Sequence, residues 1–168
     1  KGTKTKSWRS WSLRSDDDGH TWQTVSVIGP QHNETDILPQ SDGSWLAAAR
    51  TDSMEIFRST DDGKTWSSLG KPTARNEING QLCQLKDGRL LLSYGVRIAG
   101  RHGVCAKFSE DGGKTWSEPL RIAHSFVGDC GYPSSVQRAD GKIVTAYYSK
   151  TAPELNAYHM GVAIWSAP

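Results

Sequence analysis

Cysteine is scarce in this sequence: Cys83, Cys105 and Cys130 are the only thiols in 168 residues. An odd count makes no disulfide framework and the spacing matches no metal-ligand pattern, so buried free thiols are expected, with no metal and no cofactor. Long apolar runs are also lacking. Nothing approaches the roughly 20 apolar residues of a spanning helix, so no helical membrane span is expected. Charge of one sign is missing as well, since 20 Lys and Arg face 18 Asp and Glu for a formal net charge of +2. A nucleic-acid partner is therefore not expected, because such binders concentrate basic residues on one face. Lys1, Lys4 and Lys6 read as a solvated chain end. No segment repeats its apolar residues at helical spacing. The opening KGTKTKSW has neither a secretory leader nor an initiator Met, and is expected to be a mature or trimmed product.

What the chain does have is seven Trp and 17 Gly, and they fall in a pattern. SDDDGHTW (15–22), STDDGKTW (59–66) and SEDGGKTW (109–116) share the template S-x-D-x-G-x-T-W, with starts 44 and 50 residues apart. A second signal interleaves: SDG at 41–43, KDG at 86–88 and ADG at 139–141. An Asp-Gly pair between short apolar runs is the strongest local hairpin signal. Runs such as RLLLSYG and KIVTAYY are too short for helices and rich in branched and aromatic residues. The unit is strand, Asp-Gly turn, strand, loop, strand, octapeptide turn, strand, which is the signature of a propeller blade. The expected fold is all-β, a β-propeller of four-stranded antiparallel blades. A partial blade covers 1–30, full blades 33–70 and 78–122, and a partial blade 131–166. Asp17, Asp61 and Asp111 are expected to accept backbone N–H groups of their own loops. The alternative, catalytic or calcium-binding aspartates, suits three identical copies less well.

The octapeptide is the Asp-box, and through it the chain resembles the sialidase (neuraminidase) superfamily over nearly its whole length. The resemblance implies a six-bladed ring, of which 168 residues are about half. An open half-ring leaves two blade faces unburied. The expected partner is the missing N-terminal half-propeller of a longer protein, or else a second copy of the chain.

Counting eight residues back from Asp42, Asp87 and Asp140 reaches Glu34, Asn79 and Tyr132, which should share one height near the axis. Eight forward from Asp42 lies Arg50, and the next loop at the same end carries Arg97 and Arg101. Arginine pairs with a carboxylate in a bidentate fork, and sialic acid bears a carboxylate on its anomeric carbon. That charge would repel an acidic nucleophile, whereas a phenol is neutral, and sialidases are the tyrosine exception among retaining glycosidases. The resemblance of NETDILPQSDGSWLAAAR and GYPSSVQRADG to sialidase segments implies Tyr132 as nucleophile, Glu34 as its base and Arg50 as a carboxylate binder. The resemblance also implies an arginine one strand before an Asp-box, which Arg101, eight residues before Ser109, fits best, with Arg97 in reserve. The family's first arginine and its acid/base Asp have no counterpart. Asp36, Asp52 and Asp129 stand as substitutes, each also readable as a turn or surface residue. Pro133 departs from the family's usual serine.

The function implied is that of an exo-sialidase-like hydrolase acting on a sialylated glycan, present as a C-terminal half. Two readings stay open beside it: a hydrolase of another acidic sugar, and a non-catalytic propeller binding glycan or protein. In the latter, Tyr132 only lines a channel and Arg50 pairs with Asp52 in a solvated loop.

Overall fold

The computed structural model describes residues 8–168, and among them every regular element is a strand. β1 (Ser10–Arg14) and β2 (Gln23–Gly29) make a first, two-stranded sheet. β3 (Thr35–Pro39), β4 (Trp45–Arg50), β5 (Met54–Ser59) and β6 (Ser67–Gly70) form the second. The third holds β7 (Glu77–Gln84), β8 (Leu90–Val96), β9 (Gly103–Ser109) and β10 (Leu120–His124). The fourth holds β11 (Cys130–Gln137), β12 (Ile143–Ala152) and β13 (Leu155–Trp165). Each sheet is an antiparallel meander of sequence neighbours. No helix among the described residues is long and apolar enough to cross a membrane.

The sheets pack face to face, and the period-two alternation of their strands supplies both faces. On β8, Leu90, Leu92, Tyr94 and Val96 join Leu46, Ala48, Met54 and Ile56 of the second sheet. Leu91 points the other way, into a cluster with Ala106, Phe108 and Ile143 of β12. On β4, Ala47 and Ala49 meet Ile28 of the first sheet. A strand buried on both faces reads as a continuous apolar run, which is why RLLLSYG shows no alternation. Cys105 and Cys130 are buried free thiols, whereas Cys83 is only half-buried, near the free edge of β7.

Two devices join neighbouring sheets. β7 and β11 are edge strands, so alternate N–H groups point away from their own ladders and need partners. Leu82 N–H donates to Asp36 Oδ2 of the second sheet at 2.8 Å. Ser135 N–H donates to Gln81 Oε1 of the third at 3.0 Å. Asp36 and Gln81 are equivalent, six residues before the Asp of each Asp-Gly turn. The second device is a close approach: a Cβ on Gly95 would lie 2.9 Å from Gly131 Cα, so β8 and β11 touch backbone to backbone.

The Asp-boxes are turns between strands of one sheet. Asp61 Oδ1 accepts from Thr65 N–H and its Oδ2 from the Thr65 hydroxyl, at 2.9 and 2.7 Å. Ser59 donates to Asp61 while accepting from Gly63 N–H, and the Trp66 indole donates to Gly63 O. Asp17 and Asp111 repeat these bonds. The hydroxyl and amide donors hold all three carboxyls down at about 2. The Asp-Gly turns lie at the same end of the sheets, since each also follows a strand running in that direction.

Candidate functional site

The opposite end gathers the starts of β3, β7 and β11. Glu34 precedes β3 and is fixed by its backbone, since Arg50 N–H donates to Glu34 O and Glu34 N–H to Asn33 Oδ1. Asn79 and Tyr132 each sit in a bulge, where the register slips between Ile78 and Gln81 and between Gly131 and Ser134. Both have positive φ, +59° and +46°. A bulge leaves its extra residue out of the ladder, so Pro133, which has no N–H to offer, costs β11 no bond there. The departure at Pro133 thus has a local account, and the bulge re-aims Tyr132.

Its hydroxyl donates to Glu34 Oε1 at 2.6 Å. The bond spans two sheets that are not neighbours, passing the one that carries Asn79. Arg50, at the end of β4, donates to the same Glu34 oxygen at 2.8 Å. A cavity of about 210 Å³ is lined by Glu34, Asp36, Asn79, Gln81 and Tyr132 among others. Burial works against the Glu34 carboxylate, but the phenol and Arg50 outweigh it and its pKa is lowered. Burial and the Glu34 carboxylate push Tyr132 the other way, to a raised pKa.

Arg97 and Arg101 go to different places. Arg97 directly follows β8, and its guanidinium lies 5.9 Å from the centre of the Tyr132 ring. Its Nε donates to Cys130 O at 3.0 Å and its Nη2 to the Tyr148 hydroxyl at 2.7 Å. Arg101 is exposed on a turn closed by its N–H to Ile98 O, and no hydrogen bond or ion pair among the described residues uses its side chain. Arg101 lies just before β9, the strand that leads into the third Asp-box, on a turn that leaves its side chain exposed, whereas Arg97 lies against Tyr132. The structure brings together Glu34, Arg50, Tyr132 and Arg97.

Of the three substitute aspartates, two are engaged and one is exposed. Asp36 is spent on Leu82 and, being buried, has a raised pKa. Asp52 is exposed beside Thr51. Asp129 accepts from the Tyr148 and Tyr158 hydroxyls, which lower its pKa. Sequence reasoning did not foresee Tyr148, which links Arg97 to Asp129. Its only signal was a second tyrosine at the far end of a run already counted as a strand. A larger groove of about 540 Å³, lined by Arg89, Phe108 and Trp116, lies by the third Asp-box and holds no bonded phenol–carboxylate pair.

The all-β fold of antiparallel sheets is similar to that of solved propeller glycosidases. Residues 1–145 match the BNR repeat-like domain family, and the chain belongs to it. It is similar to a protein of unknown function from Dyadobacter fermentans, at TM-score 0.78 and 26% identity over 93% of this chain and 45% of that one. It is similar to an α-L-arabinanase of Penicillium chrysogenum complexed with arabinobiose (TM-score 0.74, 19% identity, 95% and 55%). Similarity extends to a Trypanosoma rangeli sialidase (TM-score 0.65, 17% identity, 94% and 27%). Among curated proteins, a vacuolar protein sorting/targeting protein 10 of Talaromyces stipitatus is 29% identical over 119 residues. That match covers 60% of this chain and 8% of the other protein. The chain thus spans about half the length of the first two structures and a small part of the curated relative.

Proposed function

We propose that the chain is the C-terminal half of a retaining exo-glycosidase for an acidic sugar, terminal sialic acid foremost, with Tyr132 as nucleophile and Glu34 as its base. The observation that carries this reading is the 2.6 Å bond between the Tyr132 hydroxyl and Glu34. A free phenol ionises near pH 10, so a nucleophilic tyrosine needs a base within hydrogen-bond reach. Glu34, kept ionised by Arg50, meets that need. As the Tyr132 oxygen bonds to the anomeric carbon, its proton passes to Glu34 and the glycosidic oxygen leaves with a proton from an acid. Water then attacks the anomeric carbon, giving its proton to the conjugate base of that acid, while the bond to Tyr132 breaks and the phenol takes its proton back from Glu34, so two inversions give net retention. Arg50 and Arg97 flank the pair and suit a substrate carboxylate. The acid and a further arginine fall to the other half of the ring.

The fold likeness to arabinan-active enzymes supports a second reading, a hydrolase of arabinose-type sugars. Two arginines beside the phenol favour the acidic substrate, because a neutral pentose offers them no charge. A binding propeller is the third reading. Treatment of the full-length protein with a fluorinated sialic acid, which slows breakdown of the intermediate, should leave an adduct on the peptide containing Tyr132. Mass spectrometry showing turnover of sialosides with an adduct elsewhere removes Tyr132 as nucleophile. The same adduct with a fluorinated arabinosyl donor only would support the second reading.

A further inference from the structure

Asn79 holds the place on the third sheet that Glu34 and Tyr132 hold on the sheets to either side. It is 4% exposed, and neither Oδ1 nor Nδ2 of its side chain has a hydrogen-bond partner. It lines the cavity that Glu34 and Tyr132 also line. A buried amide left unpaired destabilises a fold, more than an apolar group of the same shape would. Such a group in a native structure calls for a partner that the resting arrangement does not supply.

Most other polar side chains around this cavity already have partners, although Arg50 Nε is buried without one. Gln81 donates to Leu82 O and accepts from Ser135 N–H. Thr35 bonds to Asn33 O and Ser10, and Asp36 accepts from Leu82. Arg50 Nη1 is on Glu34, while Arg97 lies over the Tyr132 ring with its Nε and Nη2 bonded elsewhere. In the resting state the Tyr132 oxygen keeps its proton and is served by Glu34. Once that proton moves to Glu34, the oxygen gains negative charge and needs a donor.

We propose that Asn79 Nδ2–H donates to the Tyr132 oxygen when that oxygen has lost its proton, as the sugar arrives or leaves. The inference rests on the assignment of Tyr132 as nucleophile. It also accounts for the residue type: asparagine tolerates the left-handed backbone of the bulge and brings a neutral donor that leaves Glu34 ionised. A preorganised donor at a developing negative charge acts on the rate rather than on substrate affinity.

The test uses Asn79→Gly, which keeps the positive φ and removes the amide, and Asn79→Asp, which keeps the shape and replaces the donor by an acceptor. In full-length protein with ring-labelled tyrosine, the Tyr132 phenol followed by NMR should titrate about one pH unit higher in Asn79→Gly. It should titrate higher still in Asn79→Asp. Hydrolysis by Asn79→Gly should lose about 10–100-fold in kcat with KM nearly unchanged, and its thermal unfolding should not fall. An unmoved Tyr132 titration in both variants overturns the inference, as does full kcat in Asn79→Gly. The titration needs no turnover: a shifted Tyr132 in a protein that hydrolyses no glycoside keeps the Asn79 contact and rejects the glycosidase reading instead.

Discussion

Tyr132 is aimed by its backbone as well as by its hydroxyl. The bulge at φ +46° lifts it out of β11, and the Gly95–Gly131 contact beneath lets β11 approach β8, so that Arg97 reaches its ring. Tyr132→Phe keeps the ring and deletes the attacking oxygen, so folding should survive and retaining turnover collapse. Undiminished turnover in that variant would return Tyr132 to the channel wall. Arg50→Lys and Arg97→Lys keep charge but lose the planar fork, and each should cost more activity than Arg101→Lys; the reverse ranking in steady-state kinetics would show that Arg101 swings into the mouth. Because Glu34 must be ionised, the acid limb of kcat/KM should fall below the ordinary carboxylate range, in keeping with its lowered pKa. Glu34, Asn79 and Tyr132 were legible as equivalents because each lies a fixed distance from an Asp-Gly turn. The place of Arg101, one strand before an Asp-box, was legible, whereas that of Arg97 over Tyr132 was not, since it depends on how close β11 comes to β8. The unpaired amide of Asn79 was invisible, since sequence shows which groups can bond and not which are left over.

Among the elements, the Asp-box turns lie at the end of the sheets away from Tyr132, and both carboxylate oxygens of Asp17, Asp61 and Asp111 are used within their own loops. Asp61→Ala should therefore lower the melting temperature while leaving turnover per folded molecule intact; lost turnover with unchanged melting would move the boxes into the chemistry. Their carboxyls, held down at about 2 against an ordinary 3.8, stabilise the folded state above the ordinary value. That contribution should be lost as pH falls from about 4 toward 2, visible as acid-labile melting. These turns were fully legible, because Ser, Asp, Gly, Thr and Trp each have one local task in the same octapeptide. The bulges were less so. Nothing in GYPSS or EINGQ distinguishes a bulge from a regular strand except Gly and Pro beside a residue that tolerates positive φ.

At the scale of the whole molecule, the row of sheets ends in apolar surface on both sides. Tyr158, Met160, Val162 and Ile164 are exposed at alternate positions of β13, and Trp11, Leu13 and Trp22 are exposed on and beside the first sheet. Under the half-ring proposal these faces belong against further blades. The isolated 168 residues should self-associate or unfold readily, and light scattering showing a stable cooperative monomer would contradict this. All-antiparallel β structure was plain from the sequence because every turn signal fell between short runs. The arrangement of sheets within a ring was not, since the residues that face a neighbouring blade look the same whether or not that blade is present. One consequence follows from the side-chain bonds between sheets. The amides of Leu82 and Ser135 belong to no ladder; each is sheltered only by a residue of the adjoining sheet. Deuterium uptake at these two positions therefore registers the parting of one sheet from the next, while uptake at the ladder amides of β8 registers the melting of a sheet itself. The molecule carries its own gauge of whether it opens like a fan or comes apart strand by strand.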